Sequence, residues 1–367
     1  MSTCTPASPP HLTNPGHLLS CLPGLLGFYP SHSFILLGLY PIGGTTHQLG
    51  PVLRVDVEAL NVIRPEDFPP IVRDPGMSLL AFIVGFPPDS EQAETAAQKA
   101  NRLLDGVAAT SGATVLGVWA AEEITHQSPY RLVPPASDDA PVRAPAGTPW
   151  ERGTIPEIVA APSMEPWRAH GLLPEIRRED HFGHFTTAHP ALSVAEITQL
   201  TRQASDDAAD AYGSAEACRA LLCDLEDYLN GDQPPEGGEL GLDYAALRCA
   251  ATVCAHRGLR DAAASVAIAQ PDTATELFAA VASAVTGSLR VNALCLYALA
   301  RATVGPLALA TAALATAAEE APEHTLTRLL QQAFSVGLDD VVLDAIRAGS
   351  EEARRRLYSP IIPDELP

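Results

Sequence analysis

Arg54 and Asp56 are the first residues of this chain whose types and spacing could do chemistry. They alternate with apolar residues in the segment LRVDV, and side chains two residues apart on a strand lie on the same face, about 7 Å apart. An arginine can hold an anionic group, and a carboxylate beside it can accept a proton or a hydrogen bond. The pair therefore predicts either one wall of a small-ligand pocket or a structural ion pair on a polar sheet face.

Glu122 is a third candidate because it directly follows the predicted strand Ala113 to Ala121. Open α/β sheets place their ligands beyond the carboxyl ends of parallel strands. In that position Glu122, like Asp56, can act on a group that Arg54 binds. The alternative is that this carboxylate begins the next helix, where the helix dipole favours negative charge.

Three histidines, His181, His184 and His189, lie close together in the segment DHFGHFTTAH. Imidazoles at this density can bind a transition metal if the backbone folds back on itself. However, their spacing matches neither the helical HExxH pair nor half of a zinc finger. We therefore expect no bound metal or other cofactor, and we expect the cluster to form a hydrated loop or to pack between domains.

The sequence lacks the common motifs of nucleotide binding and covalent catalysis. The glycines of Gly24-Leu25-Leu26-Gly27 and Gly43-Gly44 match neither GxGxxG nor GKS/T, and there is no GxSxG elbow. The seven cysteines show no CxxC spacing, which argues against a zinc site or a disulfide framework. Lys99 is the only lysine and is expected to be exposed on a helix. Whether the protein is an enzyme stays open, and these absences favour one that is not.

The charge of the chain excludes one large class of partner. The formal net charge is −21 over 367 residues, and acidic side chains outnumber basic ones in both halves. Proteins that bind nucleic acids neutralise phosphates with Lys and Arg, so no direct nucleic-acid binding is expected. The sequence also has no uninterrupted apolar segment long enough to cross a membrane. With no signal peptide and no disulfide pattern, a cytoplasmic location is expected.

The first 133 residues predict an α/β domain with a mixed sheet, preceded by a tail at 1–13. The apolar run SFILLGLY is typical of a strand buried on both faces, and a strand, helix and strand in succession form a βαβ unit with parallel neighbours. The predicted strands are Ser33–Tyr40, Val52–Val57, Met77–Phe86 and Ala113–Ala121, and the predicted helices are His17–Leu26 and Gln92–Ala109.

The remainder predicts a Pro-rich linker and junction at 134–192, an all-α domain at 193–358 and a tail at 359–367. Apolar residues recur with helical spacing from Val194 onward, and Gly258, Gly305 and Gly337 are placed to end helices. Successive helical hairpins are expected from this pattern. They can form either a tetratricopeptide-like array or a single bundle.

Two N-terminal segments and one C-terminal segment give the chain a family resemblance. LLGFYPSHSFILLGL, LRVDV and the helical run around Leu294 to Leu338 resemble DUF4192, an uncharacterised family found mostly in high-GC bacteria such as actinobacteria. The resemblance includes Arg54 and Asp56 but implies no catalytic role for them. The chain departs from the family at 134–149, where an acidic loop replaces a more Cys- and Pro-rich segment.

These observations favour a non-catalytic protein-binding or scaffold protein. Helical hairpins provide extended concave surfaces, and an acidic rim would attract a basic partner protein. The alternative is an enzyme or small-ligand sensor with a pocket in the α/β domain, formed by Arg54, Asp56 and Glu122. The oligomeric state is left open by the sequence.

Overall fold

The computed structural model describes residues 13–43, 46–135, 147–185, 192–231, 244–335 and 337–359. Its contacts divide the chain into two units, Met1–Arg178 and Glu179–Pro367. A mixed sheet with helices occupies the first unit, and from about residue 244 onward the regular elements of the described residues are all helices. The expected order, an α/β part followed by an all-α part, is therefore confirmed.

The described residues of the first unit form a six-stranded sheet. Its strand order is β2-β1-β3-β4-β5-β6, and β3 and β4 are its parallel pair, joined by a helix as the βαβ pattern predicts. The elements are α1 Pro15–Leu26, β1 Ser33–Gly43, β2 Thr46–Asp56, β3 Ser78–Val84, α2 Glu91–Ser111, β4 Thr114–Ala121, β5 Pro129–Val133, β6 Arg152–Thr154 and α3 Glu165–Ala169, with short 3-10 helices between them.

Two neighbouring interior strands of this sheet, β1 and β3, are buried on both faces. Residues 33–39 of β1 and all of β3 are buried, as their continuous apolar runs predict. On one face, α2 packs its buried alanines and Leu104 against the sheet. The side chain of Ser90 caps α2 by accepting a hydrogen bond from the Ala93 N–H at 3.1 Å.

The LLGFYP motif has a packing role. Asn14 caps α1 by accepting from the His17 N–H, and Gly27 ends the helix in the left-handed conformation at φ +83°. A Cβ on Gly24 would lie 2.6 Å from the backbone oxygen of Ser163, so only glycine permits this close approach. The indole of Trp167 donates to the Gly24 carbonyl at 2.9 Å. The contacts of Gly24, directly before this motif, thus fix α1 against the segment that follows the sheet.

Part of the expected 134–192 linker belongs to the first unit. β6 pairs with β5, the Tyr130 hydroxyl donates to the Pro149 carbonyl, and the Trp119 indole donates to the Trp150 carbonyl. β5 and the three-residue β6 were not predicted, because strands this short show too little alternation to be recognised. The acidic loop at 136–146 lies outside the described residues.

The described part of the second unit is built from helices alone. They are α4 Arg178–Gly183, which begins at the boundary, α5 Val194–Tyr212, α6 Ala215–Asn230, α7 Tyr244–Ala255, α8 Arg257–Ala269, α9 Pro271–Ala284, α10 Gly287–Val304, α11 Leu307–Glu320, α12 Thr325–Ser335 and α13 Asp339–Tyr358.

The centre of the second unit is α10. This helix is buried around its whole circumference from Val291 to Ala300, and it contacts α7, α8, α9, α11, α12 and α13. In addition, α8 packs against α13, although they are far apart in sequence. A repeat array makes contacts mainly between sequential neighbours, so this arrangement corresponds to the bundle alternative.

Candidate functional site

Arg54 and Asp56 lie on the face of β2 opposite α2, and they bind each other. The Arg54 Nη2 atom is 2.6 Å from Asp56 Oδ1, and Arg54 Nε donates to the Ser33 hydroxyl at 2.8 Å. Only 12% of the Arg54 side chain is exposed, compared with 63% for Asp56. The Arg54 guanidinium therefore connects β2 to the start of β1. These contacts explain the positions of Arg54 and Asp56 without a bound ligand.

Glu122 follows β4 at the carboxyl end of the parallel strand pair, as the sequence predicts. Its side chain is exposed. The described hydrogen bonds of Arg54 go to Ser31, Ser33 and Asp56, and Glu122 is not among these partners. Arg54 is thus joined to Asp56 but not to Glu122.

The histidine cluster is divided between different environments. His181 on α4 is buried, with 1% of its surface exposed, whereas His184 is exposed. His189 lies outside the described residues. No group of three potential metal ligands occurs among the residues that the structure describes. Burial lowers the pKa of His181 to about 4, outweighing the opposite effect of a backbone hydrogen bond to Ala308.

The pKa of His181 predicts an acid-sensitive second unit. The value in the folded protein lies below the ordinary value of 6.5, so the unfolded chain binds the proton more tightly. The contribution of His181 to the unfolding free energy is therefore fully present above pH 6.5, and it is lost as the pH decreases toward 4. Between about pH 7.5 and about pH 5.5 the wild-type protein should lose about 1 kcal/mol more unfolding free energy than a His181→Phe variant.

Urea titrations followed by far-ultraviolet circular dichroism at the two pH values measure this difference. His184→Gln is the control, and it should keep most of the pH dependence of the wild-type protein, because the charge of His184 is the smallest of the causes that lower the pKa of His181. If the His181→Phe variant loses as much stability on acidification as the wild-type protein, His181 is not the group that takes up the proton.

A cavity of about 410 Å³ opens between α8, α10, α12 and α13 of the second unit. Its walls are mainly aliphatic, and Leu329, which lines it, is 56% exposed. This volume lies within the range of about 300–1,000 Å³ that is typical of small-molecule sites. The residues that line it include Arg257, Arg260, Asp261, Leu296, Leu299, Leu326, Leu329, Ile346, Gly349, Glu352 and Arg356.

Arg260 connects this cavity to a buried polar network. Only 6% of its side chain is exposed. Its Nε and Nη2 atoms donate to Asp261 Oδ1 at 2.9 and 2.5 Å, and Nη1 donates to Asn292 Oδ1 at 2.7 Å. Nη1 is also 3.2 Å from His324 Nε2. Asn292 in turn donates to the Cys254 carbonyl at 2.8 Å, so the network extends from α8 through α10 to α7.

The network includes a cysteine near a histidine, but it does not have the properties of a nucleophilic pair. Cys295 Sγ lies 3.9 Å from His324 Nδ1 and 3.3 Å from the Thr327 hydroxyl. Burial raises the pKa of the Cys295 thiol to about 11. Burial, followed by the charge of Arg260, lowers the pKa of His324. At neutral pH these shifts favour a thiol beside a neutral imidazole, whereas a reactive cysteine requires a thiolate.

The sequence interpretation did not identify this site. Arg260, Asn292 and His324 come from three separate segments, so no local motif joins them. A signal was nevertheless present, because Arg260 and Asn292 are polar residues within the apolar runs LRDAAASVAIA and VNALCLYALA. Polar side chains in such positions must find partners when the helices pack.

A second cavity, of about 380 Å³, lies in the first unit between α2 and the 3-10 helix at 57–61. Lys99 lines it and donates to the Asn61 side chain at 2.7 Å. Lys99 is half-buried, not exposed as expected. Arg54, Asp56 and Glu122 do not line this cavity, so the candidate residues of the α/β part do not combine with it.

Comparison with known proteins identifies a family but no named relative. No helix within the described ranges is long and apolar enough to span a membrane. The search of curated proteins and the search of solved structures both gave no match. The family model described as "Domain of unknown function (DUF4192)" matches residues 15–340, which include the sheet and the α8, α10 and α12 walls of the cavity in the second unit, but not the lining residues of α13. The chain therefore belongs to the DUF4192 family.

Proposed function

We propose that this protein is a non-catalytic binding protein and that the cavity between α8, α10, α12 and α13 is its binding site. The observation that carries the proposal is the composition of the cavity wall, in which leucines and one isoleucine surround a volume of about 410 Å³ beside charged side chains. Sites of this kind gain affinity by burying apolar groups, and a few polar residues orient the ligand.

The chemistry of the neighbouring groups supports binding in preference to catalysis. Cys295 is kept as a thiol by burial, and the guanidinium of Arg260 is held by three side chains. In the first unit, Arg54 is used in hydrogen bonds to the strand ends. No described contact favours the enzyme alternative built on Arg54, Asp56 and Glu122. A cytoplasmic location and a protein partner remain part of the proposal.

A variant at Gly349 can close the cavity from α13. Gly349 lines the cavity, and a Cβ at this position would meet no atom within 4 Å in the part of the chain that the structure describes. Gly349→Phe should therefore fill the space without a backbone clash. Gly349→Ala is the matched control, and it should stabilise α13 by about 0.5–1 kcal/mol because alanine has a smaller entropic cost than glycine in a helix.

The test compares three tagged proteins purified from the native cells: wild type, Gly349→Ala and Gly349→Phe. Native mass spectrometry and protein identification detect the molecules that copurify. The proposal expects a small molecule or partner protein with wild type and Gly349→Ala that is absent from Gly349→Phe. Identical copurifying molecules with all three proteins would show that the cavity is not the binding site.

A further inference from the structure

We propose that the ligand of this cavity has an aliphatic body and a terminal anionic group, as in an alkyl carboxylate. The inference rests on the proposed function, since it assumes that the cavity is a binding site. It adds the chemical class of the ligand, which follows from the charges and from the apolar residues that line the cavity.

Positive charge exceeds negative charge around the cavity. Asp261 is shared by two arginines, since Arg260 Nη2 lies 2.5 Å and Arg257 Nε 3.7 Å from its carboxylate. Glu352 is likewise shared, by Arg356 at 2.9 Å and Arg355 at 2.8 Å. These contacts join four guanidinium groups to two carboxylates. Arg355 does not line the cavity, so the cavity lining holds three arginines and two carboxylates. The lining therefore has an excess of one positive charge, which an anionic ligand would reduce.

Arg260 is the deepest of these cations. One N–H of its Nη2 atom has no hydrogen-bond partner among the described residues, because this atom makes a single contact, to Asp261 Oδ1 at 2.5 Å. The other N–H groups of Arg260 are directed to Asp261, Asn292 and His324. A guanidinium held this firmly is preorganised to donate to a carboxylate, which reduces the entropic cost of binding.

The lowered pKa of His324 agrees with a positive local potential. Its first cause is burial, and the charges of Arg260 and Arg257 lower the pKa further, while Asp261 acts in the opposite direction. Cationic neighbours oppose protonation of the imidazole in the same way that they attract an anion.

The apolar wall selects the other end of the ligand. Leu296 and Leu299 of α10, Leu326 and Leu329 of α12, and Ile346 of α13 line the cavity. None of the described lining residues is aromatic. A ligand ring therefore has no aromatic side chain to stack on. The affinity comes instead from burial of methylene groups, at about 0.8 kcal/mol for each one. An alkyl chain fits this wall better than a planar ring does.

This local charge differs in sign from the charge of the whole chain, which is −21. The whole-chain value indicates a basic partner through long-range attraction. At physiological ionic strength, however, charges act over about 8 Å, so the groups nearest the cavity decide which ligand binds there. The cavity and the rest of the surface therefore favour ligands of opposite charge.

Three probes of equal chain length test the inference by isothermal titration calorimetry on the full chain. They are decanoate, decan-1-ol and decyltrimethylammonium, which are anionic, neutral and cationic. Decanoate should bind at least about tenfold more tightly than decyltrimethylammonium, a difference of about 1.4 kcal/mol. Raising NaCl from about 0.05 M to about 0.5 M should reduce this preference by screening.

Two sets of variants distinguish the charge from the cavity. The double variant Arg257→Gln and Arg356→Gln removes two exposed cations, with 83% and 77% of their side chains exposed, and should reduce the preference for decanoate. Gly349→Phe should abolish binding of all three probes, and Gly349→Ala should not. Equal affinities for the three probes, all lost in Gly349→Phe, would overturn the charge inference alone. Binding that is unaffected by Gly349→Phe, or absent for every probe, would overturn the binding site itself.

Discussion

Replacement of Arg260 by methionine is expected to lower the unfolding free energy of the second unit by about 3 kcal/mol. The reason is the set of partners that the guanidinium leaves behind. Asn292 Oδ1 loses its 2.7 Å donor in a site where the residue is only 6% exposed. Asp261 loses its two shortest contacts at the same time. A buried polar atom without a partner keeps its full desolvation cost.

Arg257→Met is the matched control, because Arg257 lies on the same helix and contacts the same aspartate at 3.7 Å. Its side chain is 83% exposed, so the expected loss is about 0.5 kcal/mol or less. Urea unfolding followed by far-ultraviolet circular dichroism reports the helical unit. Equal losses for the two variants would show that the network around Arg260 does not stabilise the bundle.

Ligand binding also depends on this network in our proposal, so the Arg260→Met variant should bind decanoate poorly even where it is folded.

Gly85→Ala is expected to destabilise the first unit by about 3–5 kcal/mol, from backbone strain and overpacking together. Gly85 directly follows β3 and has φ +123°, a backbone conformation that residues other than glycine rarely adopt. A Cβ there would also lie 2.6 Å from the backbone nitrogen of His32. Because that nitrogen belongs to the main chain, the contact cannot be relieved by rotating a side chain.

Gly43→Ala is the control that separates the cost of backbone strain from the cost of the close contact between a Cβ and His32. Gly43 has φ +135°, yet a Cβ there would meet no atom of the described residues within 4 Å. Its expected cost is therefore the strain alone, about 1–3 kcal/mol. Tryptophan fluorescence reports the first unit selectively, since all three tryptophans of the chain, at positions 119, 150 and 167, lie there. If the two alanine variants have the same stability, the approach of His32 to Gly85 imposes no cost.

The candidate residues illustrate how differently local and non-local features are encoded. The sequence placed Arg54 and Asp56 on one face of a strand, and the structure shows them there, 2.6 Å apart. It did not show that Ser33 would accept from Arg54 Nε, because that contact joins residues 21 positions apart. Strand alternation determines which face a side chain occupies. Strand pairing determines which residues that side chain contacts, and the pairing depends on the whole sheet.

The sequence by itself determined the class and order of the two parts of this protein. Helix caps such as Asn14 and Ser90, the apolar runs of β1 and β3, and the βαβ spacing are local signals that act over a few residues. The short strands β5 and β6 and the cavity beside α13 were decided only by tertiary structure. Arg260, Asn292 and His324 are up to 64 positions apart and meet because α8, α10 and the start of α12 pack together. Their proximity is a consequence of burying the apolar faces of these helices, and no local pattern specifies it.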